Sequence, residues 1–272
     1  MGLPFAFWQS PISSTYFPVD TYSLWVYNSI GTVGNSSSTR NIKLRNDSTN
    51  AEQDFLFDGT PAGKTAIINW LSGAVGKVVT LYNEGLGGSN HNFNQTNPSN
   101  QPIFDTTLWL VDYNGANLYS ETSLNSPILG SDSTVLASFK TQNELKVGGY
   151  FEEHQTNARY ISIMSDTLNT LSSALDYRLG GLTEINYTSQ TQMNVNKVIT
   201  MINDTNVYSV YDGSTLIGSI SEPTPFSGNA NFNLGYQTRD NNQFTGFGKG
   251  IIIHNGLLSA STILKLQTHI AI

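Results

Sequence analysis

The sequence predicts an all-β fold, an antiparallel β-sandwich carrying one or two short helices. Three observations carry this expectation. Short runs of alternating apolar and polar residues recur at close spacing along most of the chain. Turn dipeptides separate several of them, at Asp58-Gly59, Asn114-Gly115 and Asp212-Gly213. Helical periodicity is confined to two stretches. In 64–72, Ala66, Ile67, Trp70 and Leu71 fall on one face. In 259–269, Ser259 stands at the cap position and Ile263, Leu264 and Leu266 supply apolar positions.

Residues 1–19 read as an arm, because Pro4, Pro11 and Pro18 interrupt any regular element. The arm nevertheless carries Phe5, Phe7, Trp8, Tyr16 and Phe17, which call for burial on the parent sandwich or on a neighbouring subunit. These five are the expected assembly contacts. Residues 20–272 form a single sandwich domain in this reading. Its strands are expected at 22–27, 41–45, around Phe55 and Phe57, and at 78–82, 107–113, 147–151, 160–164 and 177–179. Further strands follow at 183–187, 196–202, 208–211, 215–220, 232–235 and 248–254. Residues 85–100 read as a long ordered loop.

Composition narrows the function classes. Hydrophobic residues make up 38% and aromatic residues 11%, enough to fill a core between two sheets. Charged residues are 12%, about half the usual ~25%. The polar surface therefore falls to Asn, Ser, Thr, Gln and Gly, which suits extracellular and virion proteins that bond sugars or neighbouring subunits. The net charge of −7 and the lack of any Lys/Arg run argue against nucleic acid. The most basic stretch, with Arg40, Lys43 and Arg45, reads as a strand with solvated outer positions. With no cysteine, disulfides, thiol catalysis and Cys-zinc sites are excluded. No apolar run approaches the ~18 residues of a membrane span. The opening MGLPFAFW has neither the basic start nor the cleavage site of a signal peptide. An extracellular place would then be reached by lysis or by assembly into a particle.

The segment from Ser48 to Asp105 is the most informative. Ala51-Glu52-Gln53-Asp54-Phe55-Leu56-Phe57-Asp58 precedes a short helix. Val78-Val79-Thr80-Leu81-Tyr82-Asn83-Glu84 follows, then Gly87-Gly88-Ser89-Asn90-His91-Asn92-Phe93 and, later, Gln101-Pro102. In order and spacing this resembles concanavalin A-like sandwich domains related to the α-L-arabinofuranosidase B catalytic domain, where AE-D--FD, a helix and WYDQSGNGN…QP occur in turn. The C-terminal half is similar to the laminin-G-like ending of such domains. It has a hairpin around Asp212-Gly213, a last strand, and Asn255-Gly256-Leu257-Leu258-Ser259-Ala260 before a short helix. The resemblance implies a jelly-roll sandwich. It also implies non-enzymatic settings, since phage and other viral structural proteins carry the same pattern. Where relatives read Trp-Tyr-Asp-Gln-Ser-Gly, this chain has Leu81-Tyr82-Asn83-Glu84-Gly85-Leu86, and it lacks the enzymes' cysteines. The family's nucleophile and acid fall on no residue here, so no catalytic residue is assigned.

Glycoside hydrolysis needs two carboxyls about 5 Å or ~6.5–9.5 Å apart. Glu52, Asp54, Glu84, Asp105, Glu152, Glu153 and Glu184 are available, but spacing along the chain pairs none of them. His91, His154, His254 and His269 do not fall at metal-ligand spacing. No metal site and no cofactor is expected; a calcium ion would have Asp105, Asp112 and Asp212 as its available carboxylates. A sugar site would combine an aromatic platform with amide and acid groups, and Tyr82, Asn83, Glu84, His91, Asn92 and Phe93 supply these. The leading expectation is a non-catalytic virion surface protein, such as a spike, fibre head or capsid decoration. It would be a homo-oligomer, with a trimer as one closed arrangement, contacting other virion proteins and a host glycan or receptor. The alternatives are a bacterial lectin-like carbohydrate-binding module and an arabinofuranosidase-type glycoside hydrolase.

Overall fold

In the computed structural model the described residues are 21–26, 40–57, 60–83, 92–114, 116, 118–120, 132–141, 148–156, 159–166, 174–179, 183–186, 196–221, 231–237 and 242–270. The arm residues Phe5, Phe7, Trp8, Tyr16 and Phe17 lie outside them, as does the turn Asp58-Gly59.

The strands are β1 (Thr21–Val26), β2 (Ile42–Asn46), β3 (Glu52–Phe55), β4 (Gly76–Leu81), β5 (Phe93–Asn94), β6 (Ile103–Asp105), β7 (Leu110–Asp112), β8 (Leu118–Ser120), β9 (Ser133–Thr141) and β10 (Gly148–Thr156). They continue with β11 (Arg159–Asp166), β12 (Ala174–Leu179), β13 (Thr183–Asn186), β14 (Asn196–Asp204), β15 (Val207–Asp212), β16 (Thr215–Ser221), β17 (Asn231–Leu234), β18 (Tyr236–Gln237), β19 (Asn242–Gln243) and β20 (Gly246–Asn255). Two α-helices, α1 (Pro61–Leu71) and α2 (Ala260–Ile270), and a short 3-10 turn at Pro98–Asn100 complete the described elements.

Among the described residues every strand pair is antiparallel, and apart from the separate pair β18–β19 the strands form two layers and a short connecting pair. One runs β16–β15–β14–β9–β20–β1. The other runs β3–β2–β4–β5–β8–β17–β10–β11–β12–β13. The short pair β6–β7 joins them, since β6 bonds to β4 and β7 to β20. The main core lies between the layers. Val135, Ala137, Phe139, Ile199, Met201, Ile251 and Ile253 face Ile42, Leu44, Val78, Leu81, Phe93, Phe104 and Leu234 across it. Ile67 and Leu71 of α1 join this core. Leu136 and Ile252 point the other way and are covered by Leu266 and Ile270 of α2. The period-2 alternation of β9 and β20 therefore serves two apolar neighbours.

The helices start close to where the sequence placed them. Helix α1 begins three residues before the expected position because Thr60 caps it. The Thr60 hydroxyl accepts the Gly63 N–H at 3.1 Å, and Pro61 takes the first turn, where its missing N–H costs nothing. Ser72 ends it in the left-handed region at φ 52°. The hairpin at Asp212-Gly213 forms as expected, with Asp212 opposite Thr215.

Three local readings are corrected. The expected strand 107–113 shrinks to Leu110–Asp112. Asp105 Oδ1 accepts the N–H groups of Thr107 at 2.7 Å and Leu108 at 2.8 Å, which bends 105–109 into a turn and leaves Trp109 at φ 60°. Arg45 is not a solvated outer residue. A register shift between Lys43 and Leu44 leaves Leu44, Arg45 and Asn46 all buried. Within 85–100, Phe93–Asn94 pairs with β4 and β8, so that stretch is not loop throughout.

Candidate functional site

The described sequence-assigned binding residues are Tyr82 and Asn83, just after β4, and Asn92 and Phe93, at the start of β5. Glu84 and His91 lie outside the described residues. The other four are placed. Phe93 is fully buried in the main core, so its ring packs between the layers and offers no face at the surface. Asn92 is 9% exposed, and its Oδ1 accepts the backbone N–H of Asn83 at 2.9 Å. The two ends of the 84–91 segment are thereby tied together.

Tyr82 is the hinge of this surface. Its backbone N–H donates to Asn41 O at 2.9 Å. Its hydroxyl donates to Asp54 Oδ1 at 2.7 Å. The second oxygen of Asp54 accepts from Arg40 Nη1 at 2.7 Å, and the Arg40 guanidinium lies 4.1 Å from the centre of the Tyr82 ring. Lys43, directly opposite Asp54 in the β2–β3 ladder, places its Nζ 4.0 Å from Asp54 Oδ1. Asn41 fixes the neighbouring backbone, accepting from Phe57 N and donating to Phe57 O, both at 2.7 Å.

The electrostatics follow from this geometry. Burial alone would raise the Asp54 carboxyl, but the bonds from Tyr82 and Arg40, with the charges of Arg40 and Lys43, outweigh it and hold it below the usual carboxylate value. Burial and the Asp54 carboxylate together push the Tyr82 phenol well above its ordinary value. The bond to Asp54 raises the Arg40 guanidinium further. Asp54 is thus an ionised acceptor at neutral pH with both oxygens engaged. Arg40 and Asp54 keep 49% and 34% of their side chains exposed, so this charged surface is open to solvent.

Sequence reasoning weighed Asp54 only as a carboxylate and Arg40 only as part of a basic stretch. The pairing that joins them to Tyr82 depends on β2 lying between β3 and β4, which no local signal shows.

Of the three carboxylates considered for calcium, Asp105 and Asp112 lie on the paired strands β6 and β7, and Asp212 lies on β15. Asp105 closes the turn before Trp109, Asp212 pairs with Lys197, and Asp112 is pushed up by burial. Among the described residues no three ligating side chains converge as a metal site would require.

No family model matches the chain, and no curated protein sequence matches it. Solved structures do. A GH54 α-L-arabinofuranosidase soaked with a cyclic sulfate inhibitor superimposes with a TM-score of 0.66 at 11% identity, covering 92% of this chain and 61% of that one. An arabinofuranosidase complexed with arabinofuranosyl-α-1,2-xylobiose gives a TM-score of 0.61 at 11% identity, with the same 92% and 61% coverage. The chain therefore spans about three fifths of the length of these structures. At this identity the likeness shows the fold: the chain is an antiparallel β-sandwich of the architecture found in these arabinofuranosidases.

Proposed function

We propose that this domain binds carbohydrate without cleaving it. The observation that carries the reading is the Asp54 bridge. It holds a half-exposed guanidinium, a carboxylate and a tyrosine on one surface, at the root of the 84–91 segment. Sugar hydroxyls both donate and accept, so a fixed acceptor beside a fixed multi-donor group suits a pair of adjacent hydroxyls. The sandwich architecture agrees with this, because both superimposed structures belong to proteins that handle arabinose-containing sugars. The non-catalytic half of the proposal rests on Asp54, whose two oxygens are taken by Tyr82 and Arg40 and whose carboxyl is held ionised. A general acid needs the opposite environment.

A glycan array probed with the full chain tests the proposal. Binding to at least one glycan class is expected, weakened at least tenfold by Arg40→Ala and reduced by Asn83→Ala or His91→Ala. An array without hits removes the reading. Release of reducing sugar from arabinan, lost in Glu84→Gln, would replace it with hydrolysis.

The virion-surface role is a second reading supported by the sequence alone: no cysteine, a surface rich in Asn, Ser and Thr, and an aromatic arm. Recovery of the protein with native particles supports it, and recovery only as a free chain sinks it.

A further inference from the structure

The opposite layer of the sandwich carries a concave surface. Helix α2 lies across the outer face of β9 and β20, and its flank over β14 and β15 leaves a groove of about 410 Å³. Ile202, Leu258 and Ile263 supply apolar wall, while Thr200, Tyr211 and Gln267 supply the polar groups that matter. No Asp, Glu, Lys, Arg or His lines it among the described residues. The size and the apolar lining with a few convergent polar groups are those of a small-molecule site.

Gln267 is the informative residue. It is 7% exposed, and both hydrogens of its amide are used. Nε2 donates to Thr200 Oγ1 at 2.9 Å and to Gly213 O at 2.7 Å. Those two bonds fix the amide plane and so fix its oxygen. Among the described residues Oε1 accepts no hydrogen bond, and it is not sealed from solvent, so its lone pairs stay open to a ligand in the groove that Gln267 lines. The Tyr211 hydroxyl, in the same groove, also makes no hydrogen bond among the described residues. An oriented acceptor lining an apolar, charge-free groove selects a neutral donor.

We propose that this groove binds an uncharged ring-sized ligand, apolar on one face, with a hydroxyl that donates to Gln267 Oε1. A sugar ring and a phenolic ring share that chemistry. The inference is independent of the carbohydrate reading of the Arg40–Asp54–Tyr82 surface, because the two sites lie on different layers.

Saturation-transfer NMR on the full chain separates the sources, with methyl β-D-galactopyranoside and p-cresol as separate probes. Transfer to the ring protons of one probe is expected, and it identifies the source. Ala260→Trp, an exposed position at the groove, should abolish that transfer by filling the mouth. Gln267→Met should weaken binding roughly 3- to 10-fold, the loss of one hydrogen bond. Arg40→Ala should leave it unchanged. Absence of transfer to both probes overturns the proposal. So does transfer that persists in Ala260→Trp, or an affinity indifferent to Gln267→Met in a variant that still folds.

Discussion

The Tyr82 hydroxyl donates to Asp54 Oδ1 at 2.7 Å, joining residues 28 positions apart. Asp54 sits on β3 and Tyr82 just after β4, and β2 runs between them, so the bond spans the middle strand. Arg40, entering β2, stacks on Tyr82 and bonds to Asp54 from the same side. Three neighbouring strands are thus cross-linked at one end.

Asp54→Asn should destabilise the domain by about 0.5–1 kcal/mol, because the pair is partly exposed and screened. The wild-type carboxyl has a folded pKa below its unfolded one. Its stabilisation is therefore complete above the unfolded value of ~3.9 and is lost as pH falls through the folded value. Urea midpoints taken from pH 6 down to 2.5 should show a steeper acid loss in wild type than in Asp54→Asn.

Arg45 and Gln101 should be energetically coupled. Arg45 is buried and donates to Gln101 Oε1 at 2.8 Å and Asn50 Oδ1 at 2.7 Å, with Asp47 at 3.1 Å. Gln101 passes the connection on, donating to Gln95 O at 2.9 Å. Arg45→Met alone strands a buried amide oxygen and should cost about 1–3 kcal/mol. A double-mutant cycle with Gln101→Leu should return a coupling of at least ~0.5 kcal/mol. Strict additivity would show that the bond contributes nothing.

Gly235→Ala should destabilise by about 2 kcal/mol or more. Gly235 has φ +77°, and an added Cβ would collide with the Tyr113 ring and with Ala116 O, 2.8 Å away. Tyr113 is fully buried, so the ring has little room to yield. A near-wild-type melting temperature would contradict the packing described.

Lys249 should make stability rise with pH. It is 6% exposed, and burial pushes its ammonium down to about 8. Between that value and the unfolded ~10.4 the unfolded chain binds more protons, so stability increases across this window. Lys249→Met should flatten that slope. Guanidinium titrations at pH 7, 8, 9 and 10 measure both effects.

Alternation and turn chemistry made much of the fold legible. The β15–β16 hairpin was readable because its strands are short, partly exposed and closed at Asp212-Gly213. The turn at Asp204–Val207 carries no glycine, yet it places Thr205 and Asn206 at φ 51° and 66°. Bonds from Thr205 N to Asp132 and from Asn206 N to Asn203 hold it. Strand β9 escaped notice altogether. It lies at the centre of its layer and is buried on both faces, so Ser133, Thr134, Val135, Leu136, Ala137 and Ser138 show no contrast of polar and apolar positions.

By itself, then, the sequence determined the class of structure, the two helices and the part of the chain where motif residues gather. Only the tertiary structure decided what those residues do. Phe93 became core because a two-residue strand pairs with β4 and β8, and Asp54 met Tyr82 because β2 lies between their strands. The reason is physical: periodicity is a property of neighbours in the chain, whereas burial and charge pairing are properties of neighbours across a sheet.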